Sequence, residues 1–544
     1  MKSIAALLIF FASGALCLQS ETSCADTAIP QLKKQQYASQ LIVDDKPFII
    51  LGGELGNSSA SNKDYLDNLW PKLSTLNLNT VLVPVYWDLL EPSENKFDFA
   101  LVDHAIENAR AHKMKLVFLW FGSWKNSMSC YTPAWIKRDQ QRFALVQDQK
   151  GISQQILTPF SKNNLQADIK AYSALLNHIK AIDSKDRTVI MLQVENEIGM
   201  LPNARDYNPA ANSALQQDVP DALIKYLQEH KDTLVPEIKQ RWQANGFKTQ
   251  GNWETVFGKS VATDEMFIAW YFARYAQQVA AAGKAIYPLP TYVNAALNRP
   301  GAAPGEYPSG GPLPHVLDIW KAAAPAIDLL SPDFYNPNFT QWNDLYTRQG
   351  EGLFIPEIRF EASNAAKVFY ALGHYGALGL SPFSIESTNK PAEEPIAKAY
   401  KILQPLVPLI ATAKSQHALA GALVDKKNPE QHIQLGDIIF TVKHDYTLGW
   451  SEKAKDEIWP ESGVLIIQAD AEEFYVAGTG VVVTMSTVKE KTLVGIESIF
   501  EGSFINGEWQ AGRSLNGDED HQGRHLRIPV DDVSTQKLRL YTYH

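Results

Sequence analysis

Continuous apolar runs recur along the first four hundred residues of the chain. Eight of them stand out, at 48–53, 80–87, 115–121, 189–195, 291–294, 328–335, 352–357 and 377–383. Strands that are buried on both faces, as in a parallel sheet, are continuously apolar, whereas half-exposed strands alternate between apolar and polar residues. The pattern therefore predicts eight parallel strands.

Segments with helical periodicity fill the gaps between these runs. Apolar residues recur at three- and four-residue spacing in 64–76, 100–112, 164–181, 264–282 and 365–372. Strands that alternate with helices in this way predict an α/β fold, here a closed (β/α)8 TIM barrel. We place the barrel at 26–416, with a helical insertion at about 201–262 after the fourth strand.

The hydrophobic pattern changes beyond residue 416. Short alternating runs appear at 437–443, 464–468, 480–485 and 538–543, with turn residues such as Asn506-Gly507 in the same region. Alternation is typical of strands with one exposed face. We predict a smaller all-β sandwich domain over 417–544.

The N-terminus has the pattern of an export signal. Lys2 precedes the apolar stretch 4–18, which is too short to span a membrane, and we predict a signal peptide over 1–25. A lipoprotein cut before Cys17 or Cys24 is a less favoured alternative, because the residues around both cysteines fit such a site poorly. No later stretch of 18 apolar residues occurs, so we expect a periplasmic or secreted protein without a transmembrane span.

Charge and cysteine content exclude several classes of function. The chain has 50 Lys and Arg against 60 Asp and Glu, a formal net charge of −10, which argues against nucleic acid as a partner. Its three cysteines cannot build a disulfide framework or a zinc site. His521 and His525 lie four residues apart near two aspartates, and we interpret this segment as a solvated loop rather than a metal site.

Two glutamates stand where barrel enzymes carry their catalytic groups. Glu197 directly follows the fourth predicted strand and Glu357 ends the seventh. Active sites of such barrels lie at the C-terminal ends of the strands, so side chains that are 160 residues apart in sequence can meet across the mouth. Paired carboxyl groups about 5–5.5 Å apart are the machinery of a retaining glycosidase. A solvated loop charge or a salt-bridge partner is the alternative for either residue alone.

Polar residues at other strand ends are candidates for binding substrate. The amide of Asn196 can bind a sugar 2-hydroxyl, and Tyr335 can donate a hydrogen bond to Glu357. Asn294 and Lys125 also lie at strand ends. Glu386 follows the eighth strand, where it either reaches a sugar hydroxyl or pairs with a cation.

Aromatic residues provide a further set of candidates. An indole ring can stack on the C–H-rich face of a pyranose, and core packing is the alternative for each residue. The tryptophans considered are Trp87, Trp124, Trp253 and Trp342.

Short motifs in the barrel resemble glycoside hydrolase family 35, the β-galactosidases of a retaining (β/α)8 clan. Gln193-Val194-Glu195-Asn196-Glu197 is similar to that family's Q-x-E-N-E signature, 41–48 to its opening strand, and Pro133-Ala134-Trp135 to its P-A-W. The resemblance implies that Glu197 is the acid/base and Glu357 the nucleophile, without a metal or organic cofactor. The residues after Glu357 depart from the family pattern, as in a divergent bacterial subgroup.

The combined pattern predicts a retaining exo-β-galactosidase. Within the resemblance, the implied substrate is a galactosylated oligosaccharide or polysaccharide side chain such as that of xyloglucan. Two alternatives stay open. One is another retaining barrel glycosidase, such as a β-glucosidase, an arabinosidase or an endo-glycanase. The other is a non-catalytic carbohydrate-binding protein. The oligomeric state is left open by the sequence.

Overall fold

The structure is a computed structural model that describes residues 28–34 and 39–544. The predicted signal peptide, with Cys17 and Cys24, lies outside the described residues. None of the helices in the described ranges combines the length and hydrophobicity that a bilayer-spanning segment requires.

Eight parallel strands close into a barrel in sequential order, as predicted. All eight predicted apolar runs form these strands, and their side chains are buried almost throughout. The strands are β1 Ile50–Glu54, β2 Thr80–Tyr86, β3 Lys115–Lys125, β4 Val189–Asn196, β5 Thr291–Ala296, β6 Leu329–Phe334, β7 Ile355–Ile358 and β8 Gly379–Pro382.

Helices follow the barrel strands and surround the barrel. The longest, α6 and α11, begin at serine N-caps, where the hydroxyls of Ser161 and Ser260 accept backbone N–H groups of the first turn. Four short helices, α7 to α10, lie in the long segment after β4. The helices are α1 Lys63–Asp67, α2 Trp70–Thr75, α3 Trp87–Leu90, α4 Ala100–Ala111, α5 Ala134–Arg138, α6 Lys162–Asp183, α7 Pro209–Leu215, α8 Asp221–Glu229, α9 Pro236–Ala244, α10 Trp253–Phe257, α11 Val261–Ile286, α12 Leu317–Ala323, α13 Phe339–Thr347, α14 Asn364–His374 and α15 Pro395–Ser415.

Two small antiparallel sheets accompany the barrel. One precedes β1 and contains Gln31–Lys34, Ser39–Val43 and Lys46–Phe48. The other is a pair between β3 and α6, formed by Leu145–Gln147 and Ser153–Leu157.

The C-terminal domain is all-β, as predicted, and consists of two antiparallel sheets around one apolar core. The six-stranded sheet has the order β9-β12-β13-β18-β15-β16, and the four-stranded sheet the order β10-β11-β14-β17. Buried side chains from both sheets, such as Phe440 and Phe474, meet between them. The strands are β9 Leu419–Val424, β10 Glu430–Leu435, β11 Ile438–His444, β12 Ser462–Gln468, β13 Glu473–Thr479, β14 Val481–Thr487, β15 Leu493–Ile505, β16 Glu508–Leu515, β17 Leu526–Ile528 and β18 Ser534–Tyr543.

The six-stranded sheet packs directly on the barrel helix α14. Leu465 and Ile467 on β12 are buried in the same apolar cluster as the barrel core. The backbones approach closely, since a Cβ atom built on Gly463 would lie 2.2 Å from the carbonyl oxygen of Ala366. At the edge of this contact, Lys367 on α14 forms an ion pair of 3.2 Å with Glu461. The outer face of the six-stranded sheet therefore belongs to the barrel's apolar core, whereas the core between the two sheets is separate.

This close approach makes Gly463 critical for stability. We expect Gly463→Ala to lower the free energy of unfolding by about 1–3 kcal/mol, because the new methyl group must displace backbone atoms of α14. Urea or thermal unfolding measures the change. Gly512→Ala is the matched control in the same domain, since its Cβ would come no nearer than 3.2 Å to another atom. Equal stability of the two variants would contradict the close packing described here.

Candidate active site

The end of β4 is held in an unusual backbone conformation. Glu195 and Glu197 both lie in the left-handed region, with φ of +62° and +45°. This conformation costs an L-residue about 1–2 kcal/mol, so surrounding contacts must maintain it. The N–H of Glu197 donates to Oδ1 of Asn294 at 3.0 Å, and the N–H of Ser127 donates to the carbonyl oxygen of Glu197 at 3.1 Å. The neighbouring segments after β3 and on β5 thus fix the residue.

The Glu197 side chain is buried at the barrel mouth, with 4% of its surface exposed. Asn126, which directly follows β3, donates a short hydrogen bond from its amide to Oε2 of Glu197. Lys125 pairs in register with Asn196 where β3 and β4 end, and this pairing brings Asn126 to the carboxyl group.

Glu357 points into the same space from β7. Glu357 lies opposite Asp333 in the register of β6 and β7. The hydroxyl of Tyr335 donates a short hydrogen bond to Oε1 of Glu357. The donation that the sequence suggested for Tyr335 is therefore present. Oε2 of Glu357 is buried without a hydrogen-bond partner in the described part of the chain.

The two predicted catalytic carboxyl groups meet. Oxygen atoms of Glu197, Asp333 and Glu357 all lie within 4.8 Å of one another. Retaining glycosidases place their two carboxyl groups about 5–5.5 Å apart, whereas inverting enzymes leave about 6.5–9.5 Å for a water molecule. The separation favours a double-displacement reaction.

Asp333 is a member of this group that sequence reasoning missed. Oδ2 accepts a 2.7 Å hydrogen bond from the Asn294 amide, and Oδ1 is buried without a hydrogen-bond partner in the described chain. The rule that identified Glu357 could have found Asp333, since both stand near the end of an apolar run.

Glu54 and Lys125 complete the charged groups near the mouth. Glu54 ends β1 and is fully buried, with Oε1 unpartnered within the described residues. The buried ammonium group of Lys125 lies near enough to Glu54 and Glu357 to favour their ionised forms. Glu54 directly follows the first predicted apolar run, 48–53, so the rule that identified Glu357 could have found it as well.

The crowding of acids shifts their protonation. Burial and the charge of Glu197 raise the pKa of Glu357 to about 7, although Lys125 and the Tyr335 hydroxyl act in the opposite direction. Burial and the charge of Glu357 raise the pKa of Glu54 and of Asp333 well above their usual values. The site therefore holds protons near neutral pH that isolated carboxyl groups would have lost.

Unused hydrogen-bonding atoms concentrate on the barrel strands. In native proteins nearly all buried polar groups find a partner, so a cluster of exceptions points to a ligand or to bound water. On the barrel strands, unpartnered buried atoms occur on Glu54, Gln193, Glu195, Asn196, Tyr292, Ser331, Asp333, Glu357 and Ser381. A hydroxyl-rich molecule suits such a surface.

Two predicted substrate-binding residues have free polar atoms in this region. The side-chain oxygen and nitrogen atoms of Asn196 are both buried and have no hydrogen-bond partner in the described chain. Both atoms are therefore available to a sugar hydroxyl. Glu386 does not pair with a cation: its Oε1 accepts from the Gly56 N–H at 2.8 Å and the Ser59 hydroxyl at 2.5 Å, and its buried Oε2 is unpartnered.

Two predicted substrate contacts prove to be structural. Trp87 is fully buried against Trp120 and donates its indole N–H to Glu91 at 2.9 Å. Trp124 is fully buried too, and its indole N–H donates to the carbonyl oxygen of Leu157. Their N–H groups and ring faces are used inside the protein, so the expectation of stacking on sugar was wrong.

Asn294 also differs from its predicted role, since both of its amide atoms are committed to Glu197 and Asp333. It positions two carboxyl-bearing residues instead of binding substrate. Trp253 and Trp342 are buried as well, which leaves them in the core.

A cavity of about 320 Å³ opens beside Tyr335. Its lining includes Asn336 and Arg359 from the barrel rim, Lys367 from α14 and Glu461 from the β-domain. A second sugar ring can fit there, next to the residue that contacts Glu357.

The three clustered oxygens of Glu197, Asp333 and Glu357 are also near enough together to share a cation. Two observations weigh against a resident metal ion. Oε1 of Glu357 is already occupied by Tyr335, and the Lys125 ammonium group supplies positive charge to the same carboxyl group.

Comparisons with family models match two parts of the chain. Residues 62–257, which include β2 to β4 and Glu197, match a glycoside hydrolase family 42 model described as beta-galactosidase. Residues 396–527 match a domain of unknown function, DUF5597. The first match indicates a glycoside hydrolase barrel of β-galactosidase type. No curated protein matches the chain.

Solved structures give distant likenesses. The beta-galactosidase from Bacillus circulans sp. alkalophilus is 14% identical over 67% of this chain and 57% of its own, with a TM-score of 0.47. The beta-galactosidase from Marinomonas ef1 is 13% identical over 67% and 61%, with 0.45. The catalytic domain of beta-amylase from Paenibacillus polymyxa is 12% identical over 65% and 97%, with 0.46. The chain thus spans about 60% of the length of the two galactosidases.

The raised pKa of Glu357 predicts a pH-dependent gain in stability for Glu357→Gln. The folded protein keeps this proton up to about pH 7, whereas the unfolded chain loses it near 4.5, so ionisation destabilises the fold as pH rises between these values. We expect the variant to melt about 2–5 °C higher than wild type at pH 8, with a much smaller difference at pH 4.5. Thermal melts at both pH values test this.

Glu393→Gln is the control for these melts, because its carboxyl group is exposed on the surface. We expect its melting temperature to equal that of wild type at either pH. A Glu357→Gln variant that is less stable than wild type at pH 8 would contradict the electrostatic picture of the site.

Proposed function

We propose that the protein is a retaining exo-β-galactosidase that removes terminal β-galactose from plant oligosaccharide and polysaccharide side chains such as those of xyloglucan. The observation that carries the proposal is the approach of Glu197 and Glu357 to within 4.8 Å, with Tyr335 donating to Glu357. The match of residues 62–257 to a beta-galactosidase model supports galactose as the sugar.

In the first step Glu357 acts as the nucleophile. Its unpartnered Oε2 attacks the anomeric carbon while Glu197 donates its proton to the glycosidic oxygen, so that the bond to the leaving sugar breaks as the ester bond to Glu357 forms. The hydrogen bond from the Tyr335 hydroxyl holds the Glu357 carboxylate in its orientation toward the anomeric carbon. Asn196 is placed to bind the 2-hydroxyl of the bound galactose.

In the second step Glu197 reverses its role. It removes a proton from water, whose oxygen attacks the anomeric carbon and displaces Glu357, and galactose leaves with its configuration retained.

The walls of the mouth support an exo mode of action. The long segments after β4 and β5 pair with each other, through hydrogen bonds of 2.8 and 3.0 Å between the backbones of Met200 and Ser309. A wall closed in this way suits a terminal sugar better than the middle of an extended chain. The cavity beside Tyr335 can hold the sugar to which galactose is attached.

Azide rescue tests the assignment of the nucleophile. We expect Glu357→Ala to lower kcat on an aryl β-galactoside by about 10³-fold or more, because the carboxylate that forms the glycosyl ester is removed. Added azide then enters the vacated space and restores turnover, and NMR of the product shows an α-galactosyl azide.

Glu197→Ala is the matched control for azide rescue. Its nucleophile is intact, so azide attacks the glycosyl ester and gives a β-galactosyl azide. If the two variants gave azides of the same configuration, or if azide rescued neither, the roles assigned to the two residues would be wrong.

A panel of substrates tests the sugar. Aryl glycosides of β-galactose, β-glucose, α-arabinose and β-mannose are compared by kcat/KM, and galactosylated xyloglucan oligosaccharides are analysed for released galactose. We expect the β-galactoside to be the best of the panel and galactose to be the released monosaccharide. Preference for another glycoside would change the sugar that we assign to the enzyme but leave the proposed mechanism in place. Absence of turnover on all the glycosides would favour a non-catalytic carbohydrate-binding protein.

A further inference from the structure

An exposed tryptophan lies on the β-domain, in the segment between β11 and β12. Trp450 keeps 52% of its surface accessible. The guanidinium group of Arg527 lies over its ring at 5.0 Å and is itself held by Asp445 at 2.6 Å. A large aromatic ring that is exposed but held in a fixed orientation is a suitable surface for a ligand with an apolar face.

Two imidazoles lie beside this ring. Those of His521 and His525 are 5.7 and 6.0 Å from Trp450 between ring centres. Asp520 and His525 are only 4% and 3% exposed, and both Oδ1 of Asp520 and Nε2 of His525 lack a hydrogen-bond partner in the described chain. The segment is a largely exposed turn, as predicted, but these two side chains are buried within it.

The arrangement does not have the geometry of a metal site. In the described ranges, the group at the barrel mouth is the one set of three or more acidic, cysteine or histidine ligand atoms within 4.8 Å of one another. Burial also lowers the pKa of His525, so its imidazole is neutral near pH 7 and can both donate and accept hydrogen bonds.

A neutral sugar matches these features best. A pyranose ring offers a C–H face for the indole and hydroxyl groups for a carboxylate and a neutral imidazole. The cation that lies on the ring, Arg527, is already neutralised by Asp445, so it does not offer a free charge to an anionic ligand. We propose that Trp450, Asp520 and His525 form a second carbohydrate-binding site, which holds a neutral pyranose of the polysaccharide substrate.

The location of the site connects it to the catalytic barrel. The segment that carries Trp450 continues to Glu461, which pairs with Lys367 and lines the cavity beside Tyr335. One face of the six-stranded sheet is buried against the barrel, so the β-domain that carries Trp450 is packed on the barrel and not joined to it by a free linker. A polymer held at Trp450 can therefore present its side chains to the catalytic residues. The choice of polysaccharide rests on the proposed function.

Affinity electrophoresis tests binding without turnover. Full-length Glu357→Gln protein is run in native gels that contain galactosylated xyloglucan, β-1,4-galactan or hydroxyethyl cellulose. We expect xyloglucan to retard this protein, and we expect Trp450→Ala in the same background to bind about tenfold more weakly or worse. Tyr541→Ala is the matched control, because it removes a comparably exposed aromatic ring (46%) from the same domain and should leave the retardation unchanged.

Kinetics with the active enzyme separate this site from the catalytic site. We expect Trp450→Ala to keep the kcat/KM of wild type on an aryl β-galactoside and to raise KM on the polymer. The melting temperature should stay at the wild-type value, since the ring is exposed. The second site is overturned if none of the three polysaccharides retards the protein or if Trp450→Ala is retarded as strongly as its parent. It is also overturned if Tyr541→Ala loses as much affinity as Trp450→Ala. Failure of the proposed function would appear separately, as lack of turnover on galactosides while the gels still report binding.

Discussion

The chemistry of this protein depends on the burial of several carboxyl groups around one point. Glu54, Glu197, Asp333 and Glu357 meet at the barrel mouth with Lys125 as the nearby buried ammonium group. Four carboxyl groups this close together cannot all be ionised where water is excluded. Some of them therefore keep their protons near neutral pH. Because Glu357 itself keeps such a proton up to about pH 7, the proposed attack on the sugar requires this residue to lose it first.

The rest of the fold opposes that repulsion. Four neighbouring barrel strands carry the groups or the residues that fix them: Asn126 after β3, the strained end of β4, Asn294 on β5 and Asp333 on β6. The continuous apolar packing around the strands supplies the stabilisation that an unfavourable acidic cluster requires. The site thus costs stability locally, and the large apolar core compensates for that cost.

Sequence patterns predicted the barrel well because a strand that is buried on both faces has an uninterrupted apolar sequence. Glu197 and Glu357 could be predicted since acids are rare at the ends of such runs. Asp333 and Glu54 lay in equivalent positions, but a single sequence does not show which strand-end acids point to a common centre. The prediction for the tryptophans failed for a related reason. The sequence around an indole does not show whether its N–H donates to an interior group, such as Glu91 or the carbonyl of Leu157, or faces a ligand.

The packing of the two domains gives the β-domain a role that its own fold does not specify. A sandwich joined by a loose linker could only raise the local concentration of a polymer around the barrel. Here the sheet rests on α14, with Gly463 against Ala366, and α14 begins shortly after the strand that bears Glu357. If the proposed second site on the β-domain holds a polysaccharide, this packing would make the spacing along the bound chain a determinant of which side chains reach the barrel.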